Sequence, residues 1–200
     1  MIRNLRQGKH LTPILDKHIQ IGIKLVARGK IKEKEKRDYS NMHSKGHFGL
    51  ALGVMSLLMI PFGLGANNLV FLTVLLSAML SALPDLDIKW GIPHRKITHN
   101  ILFALIIGFI FGVMFGYASG IWYFFVGFIG GFMGIMIHLL GDVMTYMKFK
   151  PFYPFSHKEY AWGLFPAKSK RSNDGFFAFG IVCFFGYILI SVGALSSMLP

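Results

Sequence analysis

The chain has 200 residues, 54% of them hydrophobic and only 15% charged, with 20 Phe, 11 Met and 23 Gly. Arranged in uncharged runs close to bilayer length, that composition excludes a soluble globular domain. The net charge of +12 is read as attraction to anionic lipid headgroups, worth about 1 kcal/mol per basic residue near such a surface, and no specific nucleic-acid partner is expected.

The first 46 residues hold 12 Lys and Arg and no continuous apolar core, so no secretory signal peptide is expected. Within this basic arm, Met1 to about Lys45, Thr12-Pro13 has the form of an N-cap followed by proline at the first helical position. Leu11, Ile14, Leu15, His18, Leu25 and Val26 roughly follow a helical stripe, with Lys17, Lys24 and Arg28 among the polar positions. An interfacial amphipathic helix is the preferred reading. The alternation Ile19, Ile21, Ile23, Leu25 leaves a strand open. His10, His18 and His43 have no acidic pattern beside them and read as solvated.

Five apolar runs follow, at about His47 to Ala66, Asn67 to Leu83, Ile101 to Ala118, Ile121 to Leu140 and Phe176 to Leu199. Each is near the roughly 20 residues that a membrane helix needs, the second being short. The expected fold is all-α, a polytopic membrane bundle of about five helices over residues 46–200, behind the arm at 1–45. Gly112, Gly116 and Gly120, Gly127 and Gly131, and Gly130 and Gly134 repeat at every fourth residue, a spacing that lets helix backbones approach within one compact bundle. The oligomeric state stays open. Cys183 lies inside the fifth run, cannot form an intramolecular disulfide, and reads as a packing residue.

Lys and Arg give the orientation. The connections near Gly63 to Asn68 and Tyr117 to Trp122 hold none, whereas Pro84 to Asn100 holds three and Gly141 to Gly175 holds six. Positive residues stay cytoplasmic. The expected protein is therefore a multi-pass cell-membrane protein with its amino terminus inside and its carboxyl terminus outside. Its long connection after the fourth run, Asp142 to Asp174, is rich in Tyr, Phe, Trp, Lys and Pro. It reads as a membrane-hugging segment and as a rim able to receive a lipid-like substrate.

Against this apolar background, seven metal-capable side chains fall at cytoplasmic ends of the runs: His47, Asp85, Asp87, His94, His99, His138 and Asp142. A carboxylate or imidazole at a bilayer edge is costly unless it is paired or binds something. Seven gathered at one level suggest a metal site. His138 and Asp142 are four apart and project from one helix face. Asp85 and Asp87 follow Pro84, where helical geometry is expected to fail and both carboxylates can converge. Imidazole and carboxylate without thiolate suit zinc, manganese or iron. The spacings hint at two similar hairpins meeting at their polar ends: His47 precedes Asp85 by 38 residues, and His99 precedes His138 by 39.

These pieces together resemble the YdjM-type membrane-bound metal-dependent hydrolases. The matching segments are Gly46-His47, Leu83-Pro84-Asp85-Leu86-Asp87, His94-Arg95 with Thr98-His99-Asn100, and His138-Leu139-Leu140-Gly141-Asp142 with Thr145. Tyr153-Pro154-Phe155-Ser156 matches a further segment, so the resemblance runs from about Gly46 to Ser156, with the arm and the last run outside it. The resemblance, with a distant similarity to zinc-dependent phospholipase C enzymes, implies metal-dependent hydrolysis and all seven residues as candidate ligands. Seven exceed the three or four of a simple zinc site, so two or more ions, zinc by this similarity, are implied. It further implies Arg95 as a phosphate clamp and Asp85 or Asp142 as acceptor of a water proton.

Two functions remain at this point. One is a phosphoesterase acting on a lipid or lipid-linked substrate at the cytoplasmic face, with membrane lipids as its surroundings. The other is a non-enzymatic metal-binding protein or ion transporter. Transporter sites lie near the midplane, and here the apolar middles carry no charged residue.

Overall fold

A computed structural model describes residues 20, 23–26, 28–29, 44–62, 68–89, 95 and 97–193. The five apolar runs form five helices: α1 Ser44–Met59, α2 Asn68–Leu80, α3 Ile101–Ser119, α4 Ile121–Val143 and α5 Lys170–Ser191. No strand occurs among the described residues, and the fold is all-α as expected. Four helices are long and apolar enough to cross a membrane, α1 being continued by a 3-10 turn at Ile60–Phe62. The exception is α2. Its 13 residues span about 20 Å at 1.5 Å per residue, short of a hydrocarbon core of about 30 Å.

Helix ends depart from the hydropathy boundaries for local reasons. α2 stops at Leu80 rather than Leu83, where the Ser81 hydroxyl turns back onto the Ala78 carbonyl at 2.7 Å and offers the backbone an alternative partner. α5 starts six residues before its apolar run, because the Ser169 side chain accepts from the Ser172 N–H at 3.2 Å and caps the first turn. Asn100 caps α3 in the same way, accepting from the Phe103 N–H at 2.8 Å.

The chain divides into two compact units, Met1–Ser40 and Asn41–Pro200. In the first, residues 20, 23–26 and 28–29 are helical, with Ile23, Leu25 and Val26 exposed. Here the helical stripe prevails over the strand alternation. Thr12-Pro13, His10, His18 and His43 lie outside the described residues.

In the second unit, α3 and α4 form an antiparallel hairpin in which glycine replaces the usual side-chain layer. A Cβ on Gly127 would strike the Phe111 backbone, and Gly131 faces Gly108. The opposite glycine pair of α4 serves α2: a Cβ on Gly130 would meet the Leu76 side chain at 2.9 Å, and one on Gly134 the Ser77 carbonyl at 2.6 Å. The expected small-residue spacing thus belongs to two intramolecular seams on one helix. Gly120 is different; it sits at the turn with φ +94 and open space around it. A third seam joins α1 to α5, running parallel, with Gly49 against the Gly180 and Phe177 backbones. Two hydroxyls inside the bundle return to their own helix, Ser56 to the Leu52 carbonyl and Thr73 to the Leu69 carbonyl, because lipid offers them no partner.

This connectivity brings the starts of α1, α3 and α5 and the ends of α2 and α4 to one end of the bundle. The connection from α4 to α5 caps that end without helix. Phe149 pairs with Tyr160 and Thr145 with Phe165 as isolated bridges, and the Pro151 carbonyl accepts from the first N–H of α3 at 2.9 Å. Tyr146, Phe152, Phe155 and Trp162 are exposed along it, whereas Phe149 is buried.

Candidate metal centre

At that end the polar residues converge. His47, His99 and His138 are fully buried, and Asp87 and Asp142 nearly so. His138 and Asp142 come from the last turns of α4, His47 from the first turn of α1, and His99 from the residue before the α3 cap. Asp85 lies in the turn after α2, followed by a single helical turn at Leu86–Lys89 that carries Asp87.

Hydrogen bonds behind the imidazoles fix their tautomers. His138 Nδ1 lies 2.7 Å from the Ser81 carbonyl, which only accepts, so that nitrogen carries the proton. The Thr98 hydroxyl donates to Asp87 Oδ2 at 2.6 Å and lies 2.8 Å from His99 Nδ1. With its own hydrogen committed, Thr98 accepts from His99 Nδ1–H. With Nδ1 carrying the proton in both rings, the two Nε2 atoms face each other at 3.1 Å. Ring nitrogens at that distance are placed as neighbouring ligands of one cation would be.

Carboxylates complete the set. Asp142 Oδ2 is buried and accepts no hydrogen bond, lying 3.3 Å from His99 Nε2 and 3.6 Å from His138 Nε2. Asp85 Oδ1 lies 3.7 Å and 3.8 Å from the same two nitrogens. Ligands about 2.0–2.2 Å from one four-coordinate ion lie roughly 3.3–3.6 Å apart. His99, His138 and Asp142 therefore fit one divalent ion, with an orphaned buried oxygen as the clearest sign, and Asp85 stands beside the same two nitrogens.

His47 defines a second, looser position. Its Nε2 is 3.7 Å from Asp142 Oδ1 and 4.0 Å from Asp85 Oδ2, the oxygens turned away from the first position. A grouping of His47 and Asp85 with His138 is also close enough for a metal. Since His138 Nδ1 is held by Ser81, however, its single free Nε2 serves the first position. The His47 ring stacks on His138 with centroids 3.8 Å apart. Gly141 makes room for it, because a Cβ there would meet His47 Nδ1 at 2.9 Å.

Charge supports a cation as well. Two carboxylates, Asp85 and Asp142, face the ring nitrogens beside one guanidinium. Arg95 Nη2 donates to Asp142 Oδ1 at 3.0 Å and Nη1 to the Met147 carbonyl at 2.9 Å. A buried net charge of this kind is costly without a counterion, and a divalent ion supplies it.

The structure thus brings together His47, Asp85, His99, His138 and Asp142. Asp87 stands behind His99, linked through Thr98, and Arg95 binds Asp142 from the side. His94 lies outside the described residues. His157 is exposed, its ring edge-on to Tyr153, away from the centre. The supporting groups that sequence reading missed are the Ser81 carbonyl, the Thr98 hydroxyl and the space above Gly141. Only Thr98 and Gly141 carried a signal, both lying within the motif segments.

The sequence model of the YdjM inner membrane protein family matches residues 42–198. The chain belongs to that family. The match takes in α5, which lies beyond the motif resemblance ending near Ser156, so the last helix is part of the family domain and the five helices form one unit of descent. No curated protein and no solved structure matches the chain. Membership and the four long apolar helices together establish a membrane protein, with buried His and Asp groups able to hold a metal ion.

Proposed function

We propose that this YdjM family member is a metal-dependent hydrolase that cleaves a phosphoester of a lipid or lipid-linked substrate at the cytoplasmic face. The observation that carries this reading is the convergence of the His99 and His138 Nε2 atoms, 3.1 Å apart, on the orphaned Asp142 oxygen. Catalytic zinc takes three protein ligands and keeps a fourth position open, and His99, His138 and Asp142 would hold the first ion in that way. His47 and the outward carboxylate oxygens hold the second. A bound divalent ion supplies Lewis acidity toward a phosphoryl oxygen.

The chain's own residues do the rest. Asp87 through Thr98, and the Ser81 carbonyl, hold the two imidazoles in the ligating tautomer, as partners behind metal-bound histidines commonly do. Arg95 holds Asp142 in orientation, and part of its charge faces the approach to the centre. Asp85 is the better proton acceptor of the two candidates, because it is 12% exposed while Asp142 is nearly buried and bonded to Arg95. Lys and Arg are confined in sequence to the amino-terminal arm and to the connections after α2 and α4, which supports a cytoplasmic amino terminus and site, with α5 carrying the chain outward.

The test is turnover of a generic phosphodiester and a generic phosphomonoester by the full chain in detergent, with and without chelator. Turnover should fall at least about tenfold on chelation and return with zinc. Metal-loaded protein inert toward both ester classes would overturn the reading.

A further inference from the structure

Beside the metal centre, between the turn preceding α3 and the connection leaving α4, lies a cavity of about 490 Å³. Its polar wall carries three cations, Arg95, Lys148 and Lys150, against one acid, Glu159. Glu159 reaches only Lys150, at 3.9 Å, and both side chains are substantially exposed. Its other wall is apolar, formed by Ile97, Phe149 and Tyr153. Ile97 is 58% exposed, an uncovered aliphatic side chain beside a cluster of cations.

Arg95 joins the cavity to the centre. It lines the cavity while its guanidinium bonds Asp142 Oδ1 and the Met147 carbonyl. Its backbone has φ +64, a left-handed conformation that a long side chain adopts only where surrounding contacts impose it. The two bonds from its guanidinium fix the cation at the boundary between ligand set and cavity. The cavity therefore has excess positive charge and an apolar side, next to a centre whose own donors are negative.

We propose that this cavity binds the phosphate-bearing part of an anionic amphiphile, with Lys148 and Lys150 on the phosphate oxygens and Ile97 and Tyr153 along the apolar portion. Its role as the substrate's entry subsite rests on the hydrolase reading; binding itself does not. The phosphate can belong to a lipid headgroup or to a soluble phosphorylated compound, and the chemistry at the lysines is shared.

The full chain, purified in nonionic detergent, is titrated calorimetrically with dihexanoyl phosphatidate and, separately, with inorganic phosphate. Metal content and phosphoester turnover are measured on the same samples. Saturable binding should weaken at least about tenfold in K148Q/K150Q, since two charge-assisted bonds are lost, and should tighten in E159Q. Metal content should stay unchanged in both variants, because none of the three residues belongs to the ligand set. Phosphatidate bound tenfold better than phosphate identifies a lipid source, and equal binding identifies the phosphate alone. Affinities equal in the parent, K148Q/K150Q and E159Q overturn the proposal. Charge-dependent binding by protein that turns over no phosphoester keeps the cavity site and removes the hydrolase reading; turnover with charge-indifferent binding does the reverse.

Discussion

The two halves of α4 bring their neighbours close by opposite means. From Ile121 to Gly134 closeness comes from missing side chains, with Gly127 and Gly131 admitting α3 and Gly130 and Gly134 admitting α2. From Ile135 to Val143 it comes from polar side chains, with His138 and Asp142 meeting residues of three other segments. The glycine half holds together through dispersion contacts between backbones and phenyl rings, and the buried polar atom beside it without a hydrogen bond is the neutral Ser77 hydroxyl. The polar half holds an orphaned carboxylate oxygen beside two ring nitrogens that face each other, an arrangement that opposes folding unless a cation joins them. Stability and function are therefore separated along one helix, and substitutions can separate them experimentally.

The largest expected effect breaks the glycine half. In Gly127→Leu the new side chain meets the Phe111 backbone, which has no flexible end to move aside, so the cost exceeds the roughly 1–3 kcal/mol of ordinary overpacking. Little monodisperse protein should be recovered by size-exclusion chromatography. A normal yield would mean that the α3–α4 seam does not hold the bundle.

Next come the carboxylates of the proposed centre. Asp85→Asn should reduce metal-dependent turnover at least about a hundredfold while leaving thermal unfolding nearly unchanged, since Asp85 is partly exposed and free of the Arg95 bond. Asp142→Asn should lose the same activity and a further roughly 1.5–3 kcal/mol of stability, because it removes the anionic partner of a buried guanidinium. If both variants unfold alike, the contrast between the two halves of α4 is wrong at its polar end.

A finer effect tests how the imidazoles are held. Thr98→Val keeps the shape but removes the hydroxyl between Asp87 and His99, and metal affinity should fall about 10- to 100-fold. Thr98→Ser should retain it. Competition with a chromophoric chelator reads both, and equal affinity in all three proteins would leave Thr98 as packing only.

How much of this was legible follows the same division. Hydropathy found the five bundle helices, because lipid imposes one long apolar pattern per span. It misplaced the start of α5, whose first turn is polar and held by the Ser169 cap, and it gave α2 more length than its 13 residues. The site's members were readable as polar residues at span ends, since such residues are rare there. Their division into ligands and supports was not. Asp85 and Asp87 look equivalent in sequence, yet one faces two Nε2 atoms and the other faces Nδ1 through Thr98. The Ser81 partner of His138 is a main-chain carbonyl, a group that every residue possesses and no residue type announces.

The smallest expected effect sharpens the comparison from outside both halves. Gly186 lies within α5, with nothing inside 4 Å of a Cβ built upon it, so it belongs to no seam and no site. Alanine there adds a methyl group toward open space and removes backbone freedom from the unfolded chain. In a helix interior that exchange stabilises by at most about 1 kcal/mol. Gly186→Ala should therefore leave yield, metal content and turnover unchanged and shift the unfolding midpoint slightly upward. A loss of monodisperse protein in this variant would show that α5 packs through Gly186 against something outside the chain, such as a second copy. Glycine substitutions in α4 would then have to be reread as reporting on assembly as well as on the hairpin.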